Sequence, residues 1–244
     1  MPRPLRIAPA GVCFHVLNRG NNRKPLFRKE ADYAAFLAIL AHAVERFEVD
    51  LFCWCLMPNH WHLVLRPRTD VALSRFMAWL SITHVRRHHG HYPSFSGHLY
   101  QGRFKSFPVE ADEYFLAVCR YVEANPLRAT LAMPAEGWPW SSLWESHNHC
   151  EPGTRPKLSE WPVDRPRDWA GVVNEAMDDG QRQHIQSCLR RDCPFGSKRW
   201  AGRIAGRLKL TQTLKPIGRP RKPLKSLSAR QRRRREEESR QIGR

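Results

Sequence analysis

The sequence predicts an α+β fold, in which a small antiparallel sheet carries helices on one face. Short runs of β-branched and aromatic residues alternate with stretches of helical periodicity, in the order β-α-β-β-α-β-α. A Pro-Asn pair between two of the strands predicts a hairpin. Hydrophobic residues make up 41% of the 244 residues, which supports a folded core and excludes a wholly disordered chain.

The first half of the pattern contains three of these elements. Residues 12–17 (VCFHVL) predict a strand, which ends at the turn-like sequence NRGNN of residues 18–22. Residues 30–47 predict a helix, because their apolar side chains recur on one side: Phe36, Leu37, Leu40, Val44 and Phe47. Residues 51–57 predict the second strand.

The second half completes the order of elements. Residues 60–65 predict a third strand after the Pro58-Asn59 turn, and residues 70–89 predict a helix. A short strand is expected at residues 104–109 and a helix at residues 112–124. This helix must end before Pro126, because proline disfavours helical geometry in the preceding residue. The order is that of a ferredoxin-like, or RRM-like, domain within residues 1–135.

Beyond this domain we expect an extension and a tail. Residues 136–212 contain several tryptophans and then a helical pattern, which is broken at residues 192–196 (DCPFG). The tryptophans are expected to pack this extension back onto the domain, because exposed indole rings would promote aggregation. Residues 213–244 are rich in Pro, Gly and Arg and predict a disordered basic tail.

The charge is concentrated in this C-terminal region. The chain has 41 Lys and Arg against 23 Asp and Glu, a net charge of +18, and residues 198–244 hold 17 basic and 3 acidic residues. Such a tail is expected to bind a polyanion such as DNA. Residues 218–222 (GRPRK) resemble an AT-hook, in which Arg219 and Arg221 would enter an A·T-rich minor groove. A non-specific electrostatic anchor is the other interpretation.

Cysteine usage and the N-terminus indicate the compartment. The seven cysteines show no disulfide-framework spacing, which favours a reducing environment. The chain begins without the apolar stretch of a secretory signal, and no run of about 18 apolar residues could span a membrane. A cytoplasmic location is therefore expected. The alternative to buried thiols is a zinc site among the residues His147, His149, Cys150, Cys188 and Cys193.

Two histidines form the first candidate site. His60 and His62 flank Trp61 on a predicted strand, so both imidazoles point to one face of the sheet. Two neutral imidazoles side by side suit a divalent cation. The alternative is a pair of unrelated histidines on a solvated face.

The last helix of the domain supplies the second candidate. Tyr121 and Asn125 are four residues apart and lie on one helical face. The phenol of Tyr121 could act as a nucleophile if a cation or base activates it, while the Asn125 amide oxygen completes a metal site. A half-buried tyrosine with a structural role is the alternative, and Tyr114, about two turns away, is the second candidate nucleophile.

Three blocks of sequence resemble a known family. Residues 56–64 (LMPNHWHLV), 100–105 (YQGRFK) and 120–128 (RYVEANPLR) together resemble the single-tyrosine HUH transposases, and specifically the bacterial REP-associated tyrosine transposases. The resemblance implies a ferredoxin-like domain that nicks and joins single-stranded DNA through a 5′-phosphotyrosine, with Mg²⁺ or Mn²⁺ and without a nucleotide cofactor. In family terms, His60 and His62 are metal ligands and Tyr121 is the nucleophile. Asn125 stands where insertion-sequence relatives commonly carry Gln.

The partner is then expected to be single-stranded or hairpin DNA. We expect no membrane partner. Arg103 and Lys105 flank Phe104, a combination that suits phosphate contact and base stacking, and Arg19 and Arg128 are further candidates for backbone contact. The resemblance implies REP-type palindromic hairpins as targets, a nucleoid-associated bacterial protein, and either a monomer or a homodimer. A hairpin-binding protein that has lost cleavage is the alternative function.

Overall fold

A four-stranded antiparallel sheet forms the centre of the protein, in a computed structural model that describes residues 7–148, 150 and 153–215. The strands are arranged in the order β2-β3-β1-β4, and every neighbouring pair is antiparallel. They are β1 (Cys13–Arg19), β2 (Val49–Met57), β3 (His60–Pro67) and β4 (Lys105–Val109). The predicted α+β class and the ferredoxin-like order of elements are confirmed.

Two helices cover one face of the sheet. They are α1 (Glu30–Arg46) and α2 (Ala72–His91). Asp32 accepts hydrogen bonds from the backbone N–H groups of Arg28 and Lys29 and so stabilises the start of α1. The apolar sides of α1 and α2 pack on side chains of β1 and β3 that point toward these helices, including Trp61 and Leu63.

The third helix lies on the opposite face, which corrects the expectation of helices on one face. This helix, α3 (Glu113–Glu123), packs on the sheet side chains that point away from α1 and α2, such as Cys53 and Val64. The physical reason is that β2 is buried along its whole length, so both of its faces are apolar and both need a cover. A short helix, α4 (Asn125–Arg128), follows directly.

The C-terminal extension is helical and packs onto the sheet domain. Its helices are α5 (Ser142–Glu145), α6 (Trp169–Asn174), α7 (Asp179–Arg191) and α8 (Lys198–Arg207). The predicted break at residues 192–196 is observed, and it begins where Asp192 takes the left-handed conformation, with φ of 56°. Described residues up to Leu214 form one compact unit.

The extension also covers both edges of the sheet. At the β2 edge, the backbone N–H of Leu56 donates to the carbonyl of Trp140 and that of Trp54 donates to Ser142 Oγ. At the β4 edge, Phe195 forms a parallel bridge with Val109. Backbone groups that an isolated sheet would leave open to other chains are therefore paired internally.

The structure bears differently on the predicted basic tail and on the expected absence of a membrane span. Arg219 and Arg221 of the AT-hook-like segment lie outside the described residues, as does most of the predicted tail. Among the helices that the structure describes, none is both long enough and apolar enough to cross a lipid bilayer.

Candidate active site

The two histidines of β3 lie on the face that α3 covers. Because side chains alternate along a strand, His60 and His62 point to the same side as Val64, whereas Trp61 and Leu63 point to the other core. The ring centroids of His60 and His62 are 5.0 Å apart. The predicted pairing of the two imidazoles is therefore present in the fold.

A hydrogen bond at Nδ1 orients each of these rings. His62 Nδ1 lies 2.8 Å from Nε2 of His15, a buried residue of β1, and His60 Nδ1 lies 2.6 Å from Asn59 Oδ1. His62 Nε2 is buried and has no hydrogen-bond partner among the described residues. If both Nδ1 atoms carry the proton, each ring presents the lone pair of its Nε2, which is what binding a metal ion requires.

Burial keeps these imidazoles neutral. It lowers the pKa of His60 to about 3, with a further contribution from the charges of Arg19 and Arg128. Burial, followed by the neighbouring rings of His15 and His60, lowers the pKa of His62 well below its usual range. Near neutral pH the histidines are therefore uncharged and able to act as ligands.

Tyr121 of α3 faces the same histidines. Its ring centroid is 6.1 Å from that of His62 and 6.4 Å from that of His15. The guanidinium carbon of Arg128 lies 4.3 Å from the centre of the Tyr121 ring, so a cation covers the phenol ring. Tyr114, the second candidate nucleophile, instead packs edge-on against Phe195 at 5.1 Å. The fold brings Tyr121, and not Tyr114, to the histidines.

The Asn-Pro sequence after α3 fixes the orientation of Asn125. Pro126 has no N–H, so the carbonyl of Val122, four residues earlier, lacks its helical donor. Asn125 Nδ2 replaces that donor, at 3.1 Å from the Val122 oxygen and 3.1 Å from the oxygen of Tyr121. With its nitrogen engaged in this way, the amide has its oxygen left to serve as a ligand.

These side chains line one open cleft, which we call the central cleft, with a volume of about 450 Å³. Four arginines line it together with the histidines, Tyr121 and Asn125: Arg19, Arg128, Arg182 and Arg190. Among the described residues, no carboxylate lines the central cleft. The cleft therefore places a phenol, two imidazoles and an amide among cations, an arrangement that suits a phosphodiester.

Sequence reasoning missed several of these residues. His15 was not singled out, although a lone histidine in the apolar run of β1 was a visible signal. Arg182, Gln186 and Arg190 of α7 were also missed. Their spacing of four residues places them on one side of α7, and that stripe was readable in the sequence.

The other predicted DNA contacts lie beside the central cleft. Arg103 and Lys105 are exposed and line a groove that also contains Arg19. Within the described part of the chain, no three His, Cys, Asp or Glu side chains come together in a way that could hold a metal ion. The described members of the zinc alternative thus form no such site, and Cys188 and Cys193 have their sulfurs 3.1 Å apart. His149 lies outside the described residues.

Comparison with known proteins gives one family. Residues 10–125 match the family model described as "Transposase IS200 like". No curated protein matches the sequence.

Two solved structures are similar in part. One is of a REP-associated tyrosine transposase bound to a REP hairpin: identity is 15%, coverage is 73% of this chain and 99% of that chain, and the TM-score is 0.48. Another is of a candidate transposase from Deinococcus radiodurans R1, at 19% identity, with 50% and 96% of the two chains covered and a TM-score of 0.36.

Proposed function

We propose, from the match of residues 10–125 to the IS200-like transposase family model, that this protein cuts and rejoins single-stranded DNA through a covalent bond to Tyr121. The observation that carries the proposal is the convergence of Tyr121, His60, His62 and Asn125 on one cleft lined by arginines. We further propose that the substrate is a REP-type palindromic hairpin with a single-stranded flank, in the bacterial cytoplasm, where the chromosome lies. This finer statement rests on the sequence resemblance.

The proposed chemistry exchanges one phosphodiester for another. The phenol oxygen of Tyr121 attacks the phosphorus, the new P–O bond forms, and the bond to the 3′ oxygen of the leaving strand breaks. The phenol loses its proton to water in the open cleft, and the departing 3′ oxygen gains one. When a 3′ hydroxyl attacks the phosphotyrosine, the same steps run backwards and join the strands. Because the number of phosphodiester bonds is unchanged, no nucleotide is consumed.

A divalent cation, Mg²⁺ or Mn²⁺, fits the residues of the central cleft. The buried Nε2 of His62 lacks a partner in the described chain, His60 is held in a matching orientation, and the Asn125 amide has its oxygen to offer. We propose these three side chains as the ligands. A cation bound there would polarise the scissile phosphate as a Lewis acid.

The arginines of the central cleft are proposed to hold the DNA backbone. Arg19 and Arg128 belong to the domain that carries the nucleophile, and Arg182 and Arg190 come from the extension. All of these residues and the four proposed catalytic and metal-binding side chains belong to one chain, so we propose that a monomer has a complete site.

The test is formation of a covalent adduct. The protein is incubated with a labelled hairpin oligonucleotide that carries single-stranded flanks, in the presence of Mn²⁺ or Mg²⁺, and adducts are resolved under denaturing conditions. We expect a labelled protein band with the wild type and with Tyr114→Phe, and none with Tyr121→Phe. Tyr114 is the matched control because it lies on the same helix. An adduct formed equally by Tyr121→Phe would refute the assignment of the nucleophile.

A hairpin-binding protein without cleavage is the competing function. The His60→Ala variant separates the two. If the protein is an enzyme, this variant binds the hairpin with nearly the wild-type affinity but forms no adduct. If neither the wild type nor the variant forms an adduct while both bind tightly, the binding function is favoured.

A further inference from the structure

A continuous groove leads out of the central cleft and around the start of β4 to a second pocket. The central cleft and a connecting groove of about 360 Å³ share four lining residues, two from β1 and two from α7: Leu17, Arg19, Leu189 and Arg190. The connecting groove in turn shares Asn18, Gly102 and Arg103 with a pocket of about 460 Å³. We call this last site the Ala78 pocket.

The walls of the Ala78 pocket are largely apolar. Ala78 and Ile82 lie one turn apart on α2, and Ile82 is 52% exposed although it is aliphatic. The aromatic residues Tyr100 and Phe104 also line the pocket. Ser74 and Ser81 of α2 and Asn18 of β1 add a few polar groups. An apolar slot with aromatic walls and a few hydrogen-bonding groups suits a flat heteroaromatic ring.

The path to the Ala78 pocket is lined by cations. Four basic residues line the connecting groove: Arg19, Arg103, Lys105 and Arg190. In the part of the chain that the structure describes, no Asp or Glu lines the central cleft, the connecting groove or the Ala78 pocket. A polyanion that carries flat rings along its length complements both the path and its end.

We propose that the Ala78 pocket binds one unpaired nucleobase of the same DNA strand whose phosphate lies in the central cleft. This inference rests on the proposed function, because it takes single-stranded DNA as the substrate. The connecting groove holds the phosphates between the cleaved bond and this base. The base itself lies in the Ala78 pocket, beyond the edge of the sheet that β4 forms. The consequence is that this protein reads part of its target at a distance from the cleaved bond, on the face of the sheet that carries α2.

The experiment scans the DNA one nucleotide at a time. Hairpin oligonucleotides with an abasic position moved along each single-stranded flank are bound to the full-length protein in EDTA, which prevents cleavage, and fluorescence anisotropy gives each Kd. We expect one position at which removal of the base weakens wild-type binding by about 5- to 150-fold, the range that stacking on aromatic groups contributes per base.

A protein variant then locates the position in the structure. Ala78 is exposed on α2, so Ala78→Trp fills the pocket without disturbing the core. We expect this variant to bind the intact oligonucleotide about tenfold more weakly and to show no further loss with the abasic one. Ala34→Trp, at an exposed alanine of α1 away from all three cavities, is the matched control and should retain the wild-type profile.

The outcomes separate this proposal from the proposed function. If Ala78→Trp keeps the full abasic penalty, the base binds elsewhere and the Ala78 pocket is not its site. If no position shows a penalty, or if Ala78→Trp weakens a blunt hairpin as much as a flanked one, the proposal is also overturned. The Tyr121 adduct can still form in each of these cases. Absence of the adduct with intact base discrimination would instead overturn the proposed function alone.

Discussion

At the scale of single residues, His15 is the neighbour that decides how His62 is presented. The two rings are stacked, with centroids 5.0 Å apart, and a hydrogen bond joins His15 Nε2 to His62 Nδ1. If Nδ1 of His62 donates, His62 Nε2 is free of hydrogen and can bind a cation. Partners of this kind raise the basicity of a ligating histidine and fix its tautomer.

We therefore predict that His15 positions His62. His15→Ala should raise the Mn²⁺ concentration needed for half-maximal adduct formation by about 10- to 100-fold, the range found for second partners of metal ligands. His15→Gln, which retains an acceptor, should recover part of this loss. Nitrogen-15 NMR of the imidazoles supplies a readout other than activity, because His62 should shift from the Nδ1–H tautomer toward a mixture in His15→Ala.

The control for this prediction is another buried histidine. His84 bonds to the Tyr100 hydroxyl at 2.6 Å on the opposite face of the sheet, so His84→Gln tests general damage to the core. It should lower thermal stability without changing the requirement for Mn²⁺. An equal change in the metal requirement of both variants would show that His15 has only a structural role.

At the scale of elements, the helix that carries Tyr121 is tied to the extension by a buried carboxylate. Glu123 of α3 accepts a hydrogen bond from Ser142 Oγ and one of 2.6 Å from Trp169 Nε1. Burial raises the pKa of Glu123, and these two donors oppose that shift. Glu123, only two residues from Tyr121, therefore helps to fix the register of α3 against the extension.

We predict that Glu123→Ala destabilises the protein by about 2–4 kcal/mol, because it leaves a cavity and the buried indole N–H of Trp169 without an acceptor. Glu123→Gln should cost less, since its amide can accept from Trp169 and donate to Ser142. Urea unfolding measures both. The exposed Glu113 at the start of α3 is the matched control, and Glu113→Ala should stay within about 0.5 kcal/mol of the wild type. A similar loss in the two glutamate-to-alanine variants would contradict this account.

Local patterns predicted the elements but not their partners across the fold. Alternation along β3 placed His60 and His62 on one face, and the Asn-Pro pair ended α3 at Glu123, because both depend only on neighbours in the chain. The face that α3 covers depends on contacts between distant segments. The same holds for α7, whose arginines reach the central cleft from more than fifty residues beyond Tyr121.

At the scale of the whole molecule, the extension covers the edge strand β2. The indole N–H groups of Trp138 and Trp161 donate to the carbonyls of Leu56 and Phe52 on β2, at 2.9 and 3.0 Å. The predicted domain boundary at residue 135 remains a prediction, and these bonds make it testable. A sheet domain that ends there would expose a long apolar edge strand, which is a template for aggregation.

We predict that a chain ended at residue 135 self-associates, whereas a chain ended at residue 215 is soluble and folded. The second truncation is the control, because it removes much of the basic region but keeps every helix named above. Light scattering after size-exclusion chromatography distinguishes the two. A monomeric, cooperatively unfolding fragment of residues 1–135 would show that the edges need no cover.

The buried histidines predict how the whole molecule responds to acid. Burial lowers the pKa of His15, His60 and His84 to about 3 each, and that of His62 well below its usual range. In the unfolded chain these groups titrate near pH 6.5, so between about pH 6 and pH 3 the unfolded state binds more protons than the folded state. Stability should therefore be fully present above pH 6.5 and decline as the pH falls.

Each of the four groups contributes a slope of about 1.4 kcal/mol per pH unit, so the metal-free protein should lose about 5 kcal/mol between pH 6 and pH 5. Urea unfolding at a series of pH values, in EDTA, measures this slope. His84→Gln removes one titrating group far from the central cleft and should reduce the slope by about a quarter, whatever its effect on stability at pH 7. A slope that is unchanged in His84→Gln would mean that His84 is already protonated in the folded protein between pH 6 and pH 5, which would contradict the lowered pKa of this group.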